Sequence, residues 1–211
     1  MVPGGSKVRI PDAGVREAPV QQMDGEGIIV FYSEISQDAV GMNEHATDDV
    51  LKFHGTVQKF FQQVAVVPFR FPTMLENEAE LREFIRKHAE RYVKELQHLD
   101  GKVEIKVEVS AAAIEMRPTM SGTEFLRAKY GVTKGMEQFA QAIQHEAAEL
   151  ECEWKKRERS GGVTLFALVE KDRWQELRRR VLRVCEQEKV PARVTGPWPA
   201  SDFVEQYPEL G

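Results

Sequence analysis

The side chains best equipped for chemistry are five histidines, two cysteines and a scatter of serines. His45, His54, His88, His98 and His145 never meet a second strong ligand at metal-binding spacing. His145-Glu146 begins like the zinc-protease pattern but lacks the second histidine four residues on, so the two ligands that must share one helix face are not there. The histidines therefore read as packed or solvated, with no metal bound. Cys152 and Cys185 each lie in a helical pattern without CxxC spacing and read as reduced, partly buried thiols. Ser33, Ser121 and Ser160 have no nucleophile-elbow surroundings, and Ser121 is accounted for as a helix cap. Gly25-Glu26-Gly27 precedes a strand, whereas a phosphate-binding glycine loop must follow one. The residues thus predict no catalytic set, no cofactor and no metal.

Charge narrows the partners. A net charge of −5 argues against a nucleic-acid surface. The run Glu151–Arg159 is mostly charged and reads as the solvated face of a helix, with Glu153 and Arg157 as an i,i+4 pair. Arg173, Arg178, Arg179, Arg180 and Arg183 form a basic cluster on the next helix, either a solvated face or a docking surface for an acidic partner. No apolar run reaches the ~18 residues of a membrane span, and Met1–Gln22 lacks the apolar stretch of a secretory signal. The expected location is cytoplasmic.

The elements follow from periodicity. With 42% apolar and 30% charged residues, the chain has ample material for a core. Residues 1–24 mix glycine, proline and charge and read as a flexible N-terminal arm. Residues 25–100 form an N-terminal α+β domain. It holds a strand over 27–35, a helix over 47–63 capped by Thr47 or Asp48, a short strand Val64–Val67, and a long helix Glu78–Leu99. Val50, Leu51, Val57, Phe60 and Phe61 supply the apolar positions of the first helix. In the second, Asn77 with Glu80 makes a capping box, Leu81, Phe84, Ile85, His88, Tyr92, Leu96 and Leu99 share one face, and Asp100-Gly101 ends it.

Residues 101–211 form the second domain. Lys102–Val109 alternates Val103, Ile105, Val107 and Val109 with charged residues, a half-buried strand with one wet face. A long helical region over 121–159 follows, then a strand over 163–169. A helix opened by Asp172 and a last strand over 192–195 complete the domain. The fold class is α+β, with a modified ferredoxin-like C-terminal unit carrying long helices.

Two loops stand out. Val67-Pro68-Phe69-Arg70-Phe71-Pro72-Thr73-Met74-Leu75 is held by two prolines. Phe69 and Phe71 are expected on different sides, one of them near the surface, with Arg70 between them able to hold a carboxylate or backbone carbonyls. In Thr195-Gly196-Pro197-Trp198-Pro199-Ala200-Ser201-Asp202-Phe203, a large rigid Trp198 sits between prolines. Such a residue either plugs a core edge or anchors a partner.

These segments carry a resemblance. Val67-Pro68-Phe69-Arg70-Phe71-Pro72-Thr73, Gly101-Lys102-Val103-Glu104, the run Ser121–Lys129 and Thr195-Gly196-Pro197-Trp198-Pro199-Ala200-Ser201-Asp202-Phe203 come in one order across the chain. In these the chain resembles the gas vesicle protein L/F family (GvpF/GvpL). It departs from the family pattern at Pro72, where glycine is usual, and at Ala200-Ser201, where Pro-Tyr is usual. The family's first strand reads as replaced by the N-terminal arm. The resemblance implies a gas vesicle accessory protein that binds the hydrophobic shell protein, other accessory proteins, or both, during nucleation and assembly. Phe69, Arg70, Phe71, Trp198 and Phe203 are the expected partner-binding residues. The alternative is a small ligand-binding or enzymatic protein, because a ferredoxin-like scaffold serves many functions.

Overall fold

A computed structural model describes residues 1–36, 46–110, 135–159 and 162–205. The helix cap expected at Ser121 lies outside them. The chain divides into two units, Met1–Gly101 with Pro199–Gly211, and Lys102–Trp198.

The first unit is organised by a three-stranded antiparallel sheet of β1 (Val2–Pro3), β2 (Gln21–Gly25) and β3 (Ile28–Tyr32), in the order β1-β3-β2. Between β2 and β3 only Glu26 and Gly27 remain, both at positive φ (49° and 85°). That is the conformation a tight hairpin turn demands, and glycine adopts it without steric cost. Ile28, Ile29 and Val30 are all buried, so β3 is covered on both faces. On one side Val2, Ile29, Phe60 and Val66 form a cluster that takes in Phe31, Val57 and Phe61 of the strand and of α1 (Ala46–Phe61). Phe31 and Phe60 stack with ring centroids 4.1 Å apart.

Residues 1–24, read as a flexible arm, are instead part of this core. Val2 is fully buried, Met23 is buried, and β1 and β2 flank the central strand. Val2 lies opposite Ile29 of the central strand, and Met23 opposite Val30. The Val64–Val67 run makes no strand of its own. It is a coil in which Val67 N–H donates to the Met1 carbonyl (3.0 Å) and the Met1 amino group donates to the Val67 carbonyl (2.9 Å).

Helix α2 (Glu78–Leu99) spans the expected residues. Asn77 caps it by accepting from Glu80 N–H at 3.0 Å, while the Glu80 carboxylate takes the N–H of Glu76 at 2.7 Å. Leu81, Phe84, Ile85, Ala89, Tyr92, Leu96 and Leu99 are buried along one face. The tail also belongs to this unit rather than to the second one: Ala200 and Val204 are buried, and the Arg91 guanidinium donates to the Glu205 carbonyl at 2.6 Å.

The second unit is a four-stranded antiparallel sheet. Its strands are β4 (Lys102–Ser110), β5 (Glu153–Arg159), β6 (Gly162–Glu170) and β7 (Ala192–Trp198), in the order β5-β6-β4-β7. Helix α3 (135–146) precedes β5, and α4 (Trp174–Glu188) lies between β6 and β7. The succession β-α-β-β-α-β with this strand order is compatible with a ferredoxin-like arrangement. Val103, Ile105, Val107 and Val109 pair with Val169, Ala167, Leu165 and Val163, and all eight are buried.

Three expectations change here. The segment 153–159 is an edge strand and not helix surface, so Glu153 and Arg157 share a strand face and are not a helical pair. Backbone pairing to β6 decides this, because the charged residues of the segment suit either structure. The face of β4 read as wet is dry at Glu104. Glu104 is only 3% exposed, across from Leu168 on β6, itself buried. Finally, α4 starts at Trp174 after Arg173, without a side-chain cap from Asp172.

Candidate functional site

The 68–75 loop lies between α1 and α2, and its aromatics are claimed by the two helices. Phe69 packs on Phe84 (5.7 Å between centroids) and Tyr92 (6.5 Å) of α2. Phe71 packs on Phe53 of α1 at 5.3 Å. Both rings are half-buried, and they pack on different helices. The backbone closes on itself where the Thr73 hydroxyl donates to the Arg70 carbonyl at 2.6 Å. Arg70 is left exposed, with no ion-pair partner among the described residues.

His88 joins the aromatic cluster beneath the loop, 4.8 Å from Phe84 by ring centroids. Burial lowers its pKa below the usual 6.5, and the nearby charges of Lys87 and Arg91 push the same way. Among the described residues no group of three His, Cys, Asp or Glu side chains is arranged to hold a metal.

The second loop is built differently. Strand β7 bulges against β4: Lys106 lies opposite Thr195 and Glu104 opposite Trp198, so Gly196 and Pro197 both fall opposite the single residue Ile105. Gly196 makes this approach possible. Its φ is +130°, and a Cβ there would sit 2.8 Å from the Glu104 carbonyl oxygen. The bulge ends in Trp198, which is 45% exposed and donates its indole N–H to the Thr195 hydroxyl at 3.3 Å. Of the two roles open to Trp198, plugging a core edge does not fit that exposure. Phe203 is half-buried in the first unit, in a turn where its N–H donates to the Ala200 carbonyl at 3.1 Å. The expected residues of the second loop therefore fall in different units.

The basic cluster on α4 is largely occupied by its own unit. Arg180 donates to the Glu146 carbonyl at 2.8 Å and pairs with Glu176 and Glu149 at 2.8 and 3.1 Å. Arg183 pairs with Glu146 at 3.0 Å, Arg179 with Glu176, and Arg173 donates to the Glu149 carbonyl at 3.2 Å. Arg180 thereby satisfies a carbonyl at the C-terminal end of α3, where a helix leaves acceptors without partners. As a docking surface for acid the cluster loses most of its free donors. Cys152 and Cys185 are free, half-buried thiols, and burial raises Cys152 to about 11.

Sequence reasoning missed one exposed apolar feature. Leu51, assigned to the apolar positions of α1, is 65% exposed, and Met74 at the loop's end is 48% exposed. The signal was present: Leu51 shares its helix face with Gly55 and Gln58, while Val57, Phe60 and Phe61 pack on the core cluster.

The gas vesicle synthesis protein GvpL/GvpF family model matches residues 1–149. The chain belongs to this family. The match begins at the first residue, in keeping with the place of β1 and β2 in the core, so the family's first strand is not replaced by an arm. The crystal structure of gas vesicle protein GvpF from an Anabaena species superposes with a TM-score of 0.73 at 14% identity, covering 97% of this chain and 94% of that one. The corresponding protein from Microcystis aeruginosa superposes with a TM-score of 0.71 at 13% identity, covering 93% and 94%. At such identities these structures show the shared α+β fold. No curated protein sequence matches the chain. GvpL/GvpF membership makes the protein a gas vesicle accessory protein, and no helix of the described residues is long and apolar enough to cross a membrane.

Proposed function

We propose that this GvpL/GvpF-family chain acts in the cytoplasm by holding the hydrophobic gas vesicle shell protein during nucleation and early assembly, alone or with other accessory proteins. A subunit with a large apolar face aggregates unless that face is covered, because contiguous apolar surface seeks a partner. The observation that carries the reading is Trp198. It is the one aromatic among the large hydrophobic side chains that the described residues leave exposed, and it stands on a strand-bound bulge, not on a free tail. Large, rigid aromatics of this kind dominate interface energies. The 68–75 loop is the second contributor, through the residues it leaves at the surface.

The test is co-purification. The tagged chain is co-expressed with each gas vesicle protein in turn. The expected result is recovery of the shell protein in soluble form with the chain, and its aggregation without it. Shell protein that stays insoluble and uncaptured in both cases contradicts the proposal.

A further inference from the structure

Resting on that reading of the 68–75 loop as a binding segment, we propose that its contribution is a preorganised guanidinium: Arg70 takes a carboxylate of the bound shell protein, while Phe69 and Phe71 serve as its mount. The division of labour comes from the packing. Both aromatics are held inward, Phe69 against Phe84 and Tyr92 and Phe71 against Phe53. The residue between them is therefore fixed at both flanks. Pro68 and Pro72 restrict φ just outside the pair. The Thr73 hydroxyl, 2.6 Å from the Arg70 carbonyl, locks the backbone of Arg70 itself.

The exposed guanidinium has no carboxylate to answer it among the described residues, although acidic residues outnumber basic ones, 34 to 29, in the chain. On the neighbouring helix α2 the arginines are matched. Arg82 lies 3.2 Å from Glu78, Arg86 2.7 Å from Glu83, and Arg91 3.0 Å from Glu95. A fixed backbone lowers the ordering cost of binding. The planar fork of arginine fits a carboxylate by two parallel hydrogen bonds, which lysine cannot match. In water such a pair is weak. Covered by a partner's apolar surface, it is desolvated and directional, so it sets the register of the complex.

The experiment titrates the full chain against the gas vesicle shell protein, with Arg70 as wild type, Arg70→Lys, Arg70→Ala and Arg70→Glu. Melting temperatures should be unchanged, because the Arg70 side chain supports nothing in the fold. Binding should weaken about tenfold or more in Arg70→Ala, further in Arg70→Glu, and less in Arg70→Lys. Between about 50 and 500 mM salt the wild-type affinity should fall more steeply than that of Arg70→Ala. Neutralising the shell protein's carboxylates one at a time should reveal one whose loss matches Arg70→Ala and adds nothing to it. If wild type binds the shell protein and Arg70→Ala and Arg70→Glu bind equally well, this inference is overturned and the proposed function stands. If wild type itself does not bind the shell protein, both are overturned.

Discussion

In the 68–75 loop both aromatics lie against helices, Phe69 on α2 and Phe71 on α1, and the cation between them is exposed. In the 195–203 segment the arrangement is reversed: the aromatic Trp198 is exposed, and its small neighbour Gly196 is packed tightly against β4. The two segments share a composition of prolines around aromatics. Proline fixes how stiff a segment is, and what lies beside it fixes which side chain faces out. Phe69 meets a helix face already lined by Phe84 and Tyr92. Trp198 meets the end of a strand with nothing but its own Thr195 for its indole nitrogen.

The contrast can be broken most directly at the mount. Phe69→Ala removes a ring from a cluster with Phe84, Tyr92 and His88 and should cost about 2–3 kcal/mol of stability, below the full-burial range because the ring is half-buried. Denaturant unfolding measures it, and an unchanged midpoint would mean that Phe69 is not a mount. Gly196→Ala probes the other segment. A Cβ at φ +130° that meets a carbonyl oxygen at 2.8 Å should cost about 1–3 kcal/mol. The same unfolding measurement reads it, and a neutral effect would remove the bulge as the device that places Trp198.

The smallest effect is one of pH. His88 lies under the first loop with its pKa held below 6.5 by burial. Well above 6.5 it is neutral in both the folded and the unfolded chain and has no influence. Just below 6.5 the unfolded chain takes up the proton first, so stability falls as the pH drops and levels off beneath the folded pKa. His88→Gln should flatten that part of the stability–pH curve, and an identical curve in the variant would remove His88 from the account.

Much of this was legible from local signals. The capped, strongly amphipathic α2 was read from Asn77, Glu80 and its 3.6-residue apolar stripe, and β4, β6 and β7 from their β-branched runs. What failed depended on partners distant in sequence. Residues 153–159 carry only Trp154 as a large apolar side chain, and their charges fit a helix or an edge strand equally well until β6 supplies the hydrogen bonds. Residues 1–24 look like an arm because their few apolar residues, Val2 and Met23 among them, are buried by elements that come later in the chain. At the site, rigidity was visible in the prolines. The direction of each side chain was not, since it depends on α1, α2 and the β4–β7 register.

The most direct test of the proposed function combines two readings on Trp198→Ala: the melting temperature and the affinity for the shell protein. Because the side chain is 45% exposed, truncation should cost less than about 1 kcal/mol of stability. Binding should weaken by about 2 kcal/mol or more, roughly thirtyfold. A folded variant that binds the shell protein as tightly as wild type contradicts the claim that Trp198 is the anchor. A variant destabilised by about 3–5 kcal/mol contradicts it as well, because that is the cost of losing a core aromatic.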